Sequence, residues 1–370
     1  MRLLDRYLLR ELLVPLAYCL CGFLIFYVAF DLIFQIHQYL DKQMLFLDIV
    51  EYYVLTLPEL LVEQVMPVSL LLALLYALTN HSRHNELTAM RAAGVSLWRL
   101  SLPYFGVGVL FGLAVFVISE YWLPATADRA KYVLERRQNS RLDRDWYPGL
   151  DFYNGAGRRH WMSGPFNLKT SEMLQPKVTW ISPDGSSQMI DADRAVFTNG
   201  RWSFYNARVW ARGSNDPGFL SGVSNAELRV DLPETPAWIK SEIKVNNLNP
   251  ADAAKGFHFS IRELLRYLRL HPQINQARRA MLETQLQGLM AAPFTCLAVV
   301  LIALPFGART GRHNVFVGVA SSIFICFGYF ILQRISFGLG TGGYLPPVLA
   351  AWLPNILCAA AGLALLAFYR

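Results

Sequence analysis

Six runs of this 370-residue chain are too long and too apolar to pack inside a water-soluble domain, and they constrain everything else the chain can do. They cover about Leu12 to Phe34, Val54 to Leu78, Leu100 to Leu123, Leu286 to Phe306, Val315 to Ile335 and Leu345 to Tyr369. A helix crosses a bilayer with roughly 20 mostly apolar residues. The bilayer core holds no water to bond backbone N–H and C=O groups, so runs of this length must close their hydrogen bonds within a helix. Composition agrees, with 54% of residues hydrophobic and only 16% charged. The pattern predicts an α-helical membrane protein with six transmembrane helices, broken after the third by a long polar insert, about Ala125 to Gln285.

Charge sets the expected orientation. Arg2, Arg6 and Arg10 precede the first run, and Arg83, Arg91 and Arg99 lie between the second and third. Arg309 and Arg312 lie between the fourth and fifth, and Arg370 ends the chain. Short loops rich in arginine stay in the cytoplasm. Both termini are therefore expected inside, which six spans also require. The loop HQYLDKQMLFLDIVEY and the polar insert would then lie outside. This rule is the cheapest account of the net charge of +7 and needs no nucleic-acid partner, while the basic excess within the polar insert leaves an anionic ligand there open. The first run is too long for a signal-peptide core and reads as an uncleaved span. The five cysteines all sit in apolar runs, which argues against a disulfide framework or a zinc site.

The insert reads as β in its middle. KVTWISPDGSSQMIDADRAVFTNGRWSFYNARVWARG alternates with period two around Trp202, Phe204 and Asn206, and Asp184-Gly185 and Asn199-Gly200 are hairpin turn signals. A small all-β domain is expected over about 146–236, within an insert domain of 125–280 between helical parts 1–124 and 281–370. In SIRELLRYLRL, Ser260 is a candidate N-cap ahead of an amphipathic helix.

Between the second and third runs sits SRHNELTAMRAAGVSLWRL. Asn85 is a candidate cap, Glu86 suits the positive end of a helix dipole, and Gly94 suits the position just past the helix end. Leu87, Met90 and Leu97 share a side. Such a helix lies on a membrane surface, docks in a partner's groove, or is simply an ordered loop. His81 and His84 read as solvated loop histidines rather than metal ligands.

Charges in or near the runs are costly and usually face a cavity or a partner. Asp31, Glu59, Glu63 and Arg334 are of this kind, and His37 and Lys42 are nearby polar candidates for a lipid-facing cavity. Arg334 could hold a lipid phosphate, pair with Asp31 or Glu59, or snorkel to the headgroups. The chain has no G-x-x-x-x-G-K-[ST], H-E-x-x-H or G-x-S-x-G motif, so no catalytic residues are assigned and no ATP site is expected in it.

NELTAMRAAG resembles the loop pattern S/N-E-L-x-x-M-x-A-x-G of the LptF/LptG permease family of lipopolysaccharide export. LDRYLLRELL, LPELLVEQVMPVSLLLALL, ISEYWLPATADRAK and GYLPPVLAAWLPNILCAAAGLALL resemble other parts of that family in the same order. The plan of three spans, a β domain and three spans is also similar, and the ends resemble the LptG branch more than LptF. The resemblance implies a non-catalytic transmembrane subunit of an ABC transporter in a Gram-negative inner membrane. It implies a coupling helix at about 84–95, with Glu86, Leu87, Met90, Arg91 and Gly94 facing a separate cytoplasmic ATPase dimer that uses ATP and Mg. It further implies a homologous permease partner, lipopolysaccharide as cargo and a periplasmic bridge protein. The β domain would be a periplasmic jellyroll, with Trp161, Trp202, Phe204 and Trp210 lining an acyl-chain groove or else forming ordinary core. Family members often carry a basic residue near the end of the first span, where this chain has Asp31. That difference leaves open an exporter of another anionic lipid or lipoprotein. Other classes also remain: a membrane sensor or scaffold with a ligand-binding β domain, and an intramembrane enzyme using Glu59 and Glu63.

Overall fold

A computed structural model of the chain describes residues 3–135, 146–155, 157–181, 186–212, 220–246, 259–307 and 315–368. Arg2, Arg309, Arg312, Arg370 and the Asp184-Gly185 turn lie outside the described residues. The described contacts divide the chain into two units, one of Met1–Arg137, Pro250–Leu265 and Gln276–Arg370, the other of Gln138–Asn249 and Arg266–Asn275.

The first unit is helical. Helix α1 is Leu3–Asp41, and α2 (Phe46–Leu60) passes through a π turn, Leu61–Val65, into α3 (Met66–Arg83). After the short α4 (Glu86–Ala92), α5 (Leu97–Val117) passes through a second π turn, Ile118–Trp122, into α6 (Leu123–Glu135). Among the described residues, five stretches are long and apolar enough to cross a membrane: Leu3–Asp41, Phe46–Arg83, Leu97–Thr126, Gln276–Pro305 and Pro347–Ala367. A further helix, Val315–Thr341, occupies the place expected for the fifth span, with Arg334 as its one charged residue. The helices outrun the apolar runs. The 39 residues of α1 span about 58 Å at 1.5 Å each, roughly twice a hydrocarbon core. The expected loop HQYLDKQMLFLDIVEY shrinks to a turn between Asp41 and Phe46, because its polar residues continue the helices rather than break them.

Both π turns have the same local cause. Pro67 and Pro124 cannot donate to the carbonyls four residues back, those of Glu63 and Glu120, and their rings crowd them. The helix relieves this by opening one turn. Each π turn therefore presents a glutamate. Glu120 accepts the N–H of Ile261 at 2.9 Å and the Arg262 guanidinium at 3.2 Å. It thereby supplies an acceptor and negative charge at the start of the helix Ile261–Leu270. That helix carries the expected cap: the Ser260 hydroxyl accepts from the Glu263 N–H at 3.2 Å, and Glu263 accepts from the Ser260 N–H at 3.1 Å.

The helical core is built on α3 and the helix Gln276–Gly307. Leu70, Leu74 and Leu78 meet Leu8, Leu12 and Leu16 of α1, Leu100 and Tyr104 of α5, and Val300 and Leu304. Glycines set the closest approaches, as small residues do between membrane helices. A Cβ on Gly112 would lie 2.5 Å from the Pro293 carbonyl oxygen, and one on Gly362 would lie 2.6 Å from that of Leu301. A buried polar knot joins three helices: the Tyr329 hydroxyl donates to Asn355 Oδ1 at 2.8 Å, Thr295 Oγ1 lies 3.0 Å from that hydroxyl, and Asn355 Nδ2 donates to Ala291 O at 2.9 Å.

The second unit holds a ten-stranded antiparallel sheet. Five strands concern the argument: β2 (Leu150–Asn154), β3 (Arg159–Ser163), β7 (Ser187–Asp191), β8 (Arg194–Thr198) and β9 (Arg201–Arg212). Asn199 and Gly200, with φ of 53° and 81°, make the expected two-residue hairpin between β8 and β9. Strand β9 pairs with β8 through Arg201–Tyr205 and with β7 through Arg208–Arg212. Between the two halves Asn206 turns left-handed, with φ 54°, and its amide donates to Asp193 at 3.0 Å. Here the expected alternation breaks: Trp202, Phe204 and Ala207 are buried, whereas Asn206 faces solvent.

Gly112→Val should destabilise the helical unit by about 1–3 kcal/mol through overpacking against the Pro293 backbone. Gly106→Val is the control, since a Cβ there meets nothing within 4 Å. Thermal unfolding of both variants in detergent checks the difference.

Candidate functional site

The α4 helix ends as its sequence predicts and begins differently. Gly94 has φ 84°, its N–H bonds Arg91 O at 2.9 Å, and the Val95 N–H bonds Met90 O at 3.1 Å. These two bonds make a Schellman ending. Asn85, expected to cap the start, makes no side-chain cap bond. It adopts φ 59° instead, a left-handed conformation that asparagine tolerates and that turns the chain sharply out of α3. Ser96 caps the following helix, accepting from the Arg99 N–H at 3.3 Å.

This turn aims Glu86 back at its own chain. The Tyr7 hydroxyl of α1 lies 3.0 Å from Glu86 Oε2 and 3.2 Å from Oε1, and His81 Nδ1 of α3 lies 2.7 Å from Oε2. The Tyr7 and His81 rings are 5.7 Å apart. His81 is 1% exposed and its Nε2 has no hydrogen-bond partner among the described residues. A buried acceptor nitrogen costs less than a buried unpaired N–H, so the network assigns the proton to Nδ1, donating to Glu86. The reading of His81 as a solvated loop histidine is thus corrected: it continues the buried face of α3 formed by Leu70, Leu74 and Leu78. His84 is exposed, with Nδ1 2.9 Å from Asn80 O. Partial burial pushes the Glu86 carboxyl up, but the hydrogen bonds from His81 and Tyr7 outweigh it and hold the group below its usual value.

The other α4 candidates divide by side. Leu87 is buried in the helical core and Met90 packs partly against it, whereas Arg91 and Gly94 are exposed. A second bond fastens the same region, from Arg99 to Asp5 of α1 at 2.9 Å. The sequence pointed to Glu86 but not to its partners Tyr7 and His81, nor to the pairing of Asp5 with Arg99, all of which helix packing brings together. The one available signal was His81 falling in register with the buried α3 leucines.

The charged residues of the spans fall into two groups. Asp31 accepts from Gln35 at 2.6 Å and from the Tyr53 hydroxyl at 2.9 Å, and Tyr53 lies 3.3 Å from the buried Tyr39 hydroxyl. Arg334 pairs with Glu63 at 3.7 Å, a partner the sequence reading did not name for it, and the π turn presents Glu63. Its side chain stays 48% exposed. Asp31, Glu59, Glu63 and Arg334 all act on the Tyr27 hydroxyl, so they share one neighbourhood. Glu59 is half-buried, His37 is exposed, and Lys42 is half-buried in the turn after α1.

Of the groove candidates, Trp161, Trp202 and Phe204 are sealed in the β-domain core at 1%, 0% and 0% exposure. Trp202 Nε1 donates to Glu234 O at 2.7 Å, and Trp161 stacks on Phe152 with centroids 6.0 Å apart. Of the two readings, these three side chains follow that of core; only Trp210 is partly open.

The model of one protein family, described as lipopolysaccharide export system permease LptF/LptG, matches residues 6–367. Comparison with curated proteins returned no match.

A carboxyl held below its usual value in the folded chain adds stability that is complete above the usual carboxylate range and is lost as pH falls through and below it. Glu86→Gln should therefore be less stable than the parent by about 1 kcal/mol at neutral pH, a modest figure because the group is about one-third exposed. The gap should close in acid. Paired thermal melts of the two proteins across pH measure it.

Proposed function

Because the chain belongs to the LptF/LptG family of lipopolysaccharide export permeases, we propose that it is a transmembrane subunit of an ATP-driven lipid extractor, with α4 as the element that a separate ATPase moves. The family is the permease component of that export system and works with a partner permease and an ATPase. In this reading the chain pairs with a homologous subunit around a cavity open to the outer leaflet of the inner membrane. Both termini and α4 face the cytoplasm, and the β domain faces the periplasm, where it passes lipopolysaccharide to a bridge protein.

The observation that carries the reading is the build of α4. It is short, it is closed at its end by a Schellman turn, and it is fixed to its own bundle by Leu87 and Glu86, while Arg91 and the turn at Gly94 remain exposed. A rigid element joining two spans, anchored on one side and open on the other, transmits force from a partner seated on its open side. Such a cycle needs the cargo to bind the two states of the cavity with different affinity. Asp31 does not stand as a bare charge where the family often has a base, since Tyr53 and Gln35 bond it within the chain. Arg334, half exposed beside Glu63, is the basic group best placed to meet a lipid phosphate.

The test is purification of the tagged protein in mild detergent, with mass spectrometry of co-purified proteins and lipids, for the parent and Glu86→Arg. The parent should bring down an ATPase, a second permease and lipopolysaccharide. The variant should lose the ATPase or its coupling to lipid release, because it opposes a cation to His81 and breaks the Tyr7 bond. Intact assembly and ATP-coupled transport in Glu86→Arg would remove α4 from the mechanism. A parent with no ATPase would return the chain to the sensor or scaffold class, and a different bound anionic lipid would change the cargo.

A further inference from the structure

We infer that Tyr7 of α1 and His81 of α3 are positioning residues for Glu86, His81 orienting the carboxylate and Tyr7 tying it to the first helix, so that α4 and α1 move together; this rests on the coupling role proposed above for α4. Glu86 is a node between three helices. Its Oε2 lies 2.7 Å from His81 Nδ1 of α3 and 3.0 Å from the Tyr7 hydroxyl of α1. Hydrogen bonds to an ionised acceptor are about twice as strong as neutral ones and fix direction as well as distance. About one-third of the side chain stays exposed, so one face of the carboxylate remains open to a partner's cation while the other is held from within.

The grip on α1 is double. Besides Tyr7, Asp5 of the same helix bonds Arg99 at 2.9 Å, so the segment from Glu86 to Arg99 is fastened to α1 near both of its ends. Toward its far end α1 is held by Asp31 and Tyr39, which meet Tyr53 of α2, and between the two ends it is packed thinly. Of its apolar stretch 11% is buried, against 67% for Phe46–Arg83. Its buried residues are Leu8, Leu12 and Leu16 beside this grip, and Tyr39 near the far end. The middle of the helix presents Ile25, Phe26, Phe30 and Ile33 outward. A helix held near both ends and loosely between them tilts when one end is moved. A push on α4 therefore reaches α1 directly through Glu86, whereas α3, packed on several sides, serves as the fixed side of the hinge.

The experiment uses the assembled transporter in proteoliposomes and measures lipopolysaccharide delivered to the bridge protein per ATP hydrolysed. Tyr7→Phe removes one hydroxyl and nothing else. His81→Leu removes the second donor, and His81→Asn keeps a donor near the Nδ1 position. The expected result is a loss of delivery per ATP of about fivefold or more in Tyr7→Phe and His81→Leu, the lower end of coupling factors between linked sites, with His81→Asn close to the parent. Purely structural bonds would lower the melting temperature and leave delivery per ATP unchanged, which overturns the inference. So does a Tyr7→Phe chain that fails to assemble, since the hydroxyl would then be a folding contact. Glu86→Gln separates the two levels. If it impairs delivery while Tyr7→Phe does not, this inference fails alone; if it changes neither ATP turnover nor delivery, the coupling role of α4 fails with it.

Discussion

Everything in the helical unit follows from one constraint: inside a bilayer a backbone polar group finds its partner in its own helix or not at all. The chain nevertheless places prolines inside most of its long helices, among them Pro15, Pro58, Pro103, Pro293 and Pro354. The disruption is absorbed locally. Upstream of Pro67 and Pro124 the helix opens into a π turn, and the glutamate four residues back gains a cationic partner, Arg334 in one case and Arg262 in the other. Near Pro293 the neighbouring helices come close: Asn355 donates to Ala291 O, and Gly112 leaves room for the Pro293 carbonyl.

These departures from regular helix are where the polar chemistry sits. A buried ionisable group survives when bonds satisfy it more cheaply than neutralisation would. Asp31 has Tyr53 and Gln35, Glu63 has Arg334, and Glu86 has Tyr7 and His81. The three sites differ in what they join. Asp31 joins α1 to α2, and Glu63 joins a π turn to the helix Val315–Thr341. Glu86 joins a short, largely exposed helix to α1 and α3.

The β domain solves a different problem, that of one edge of a long strand serving two partners in turn. Strand β9 pairs first with β8 and then with β7, and it changes partner at Asn206, the residue able to take a left-handed φ at small cost. Trp202 and Phe204 lie before the bend and fill the core with Trp161, while Trp210 lies beyond it and is partly open.

The sequence by itself determined the elements whose causes are local. The apolar runs, the β insert, the Asn199-Gly200 hairpin, the Ser260 cap and the Gly94 helix end are each set by a few neighbouring residues, and so were legible. The proline-driven π turns are of the same kind, and the E-x-x-x-P spacing that marks both stands in the sequence. Only the tertiary structure decided which charges meet. Tyr7 and Glu86 are 79 residues apart and Asp5 and Arg99 are 94 apart, and no periodicity brings such residues together. Side-chain pairing follows helix packing, and packing is set by the shape of whole faces, by glycines at their crossings and by rotations such as those the π turns impose. For the same reason alternation placed Asn206 with Trp202 and Phe204, and only the completed sheet, with its change of partner at that residue, turned it out to solvent.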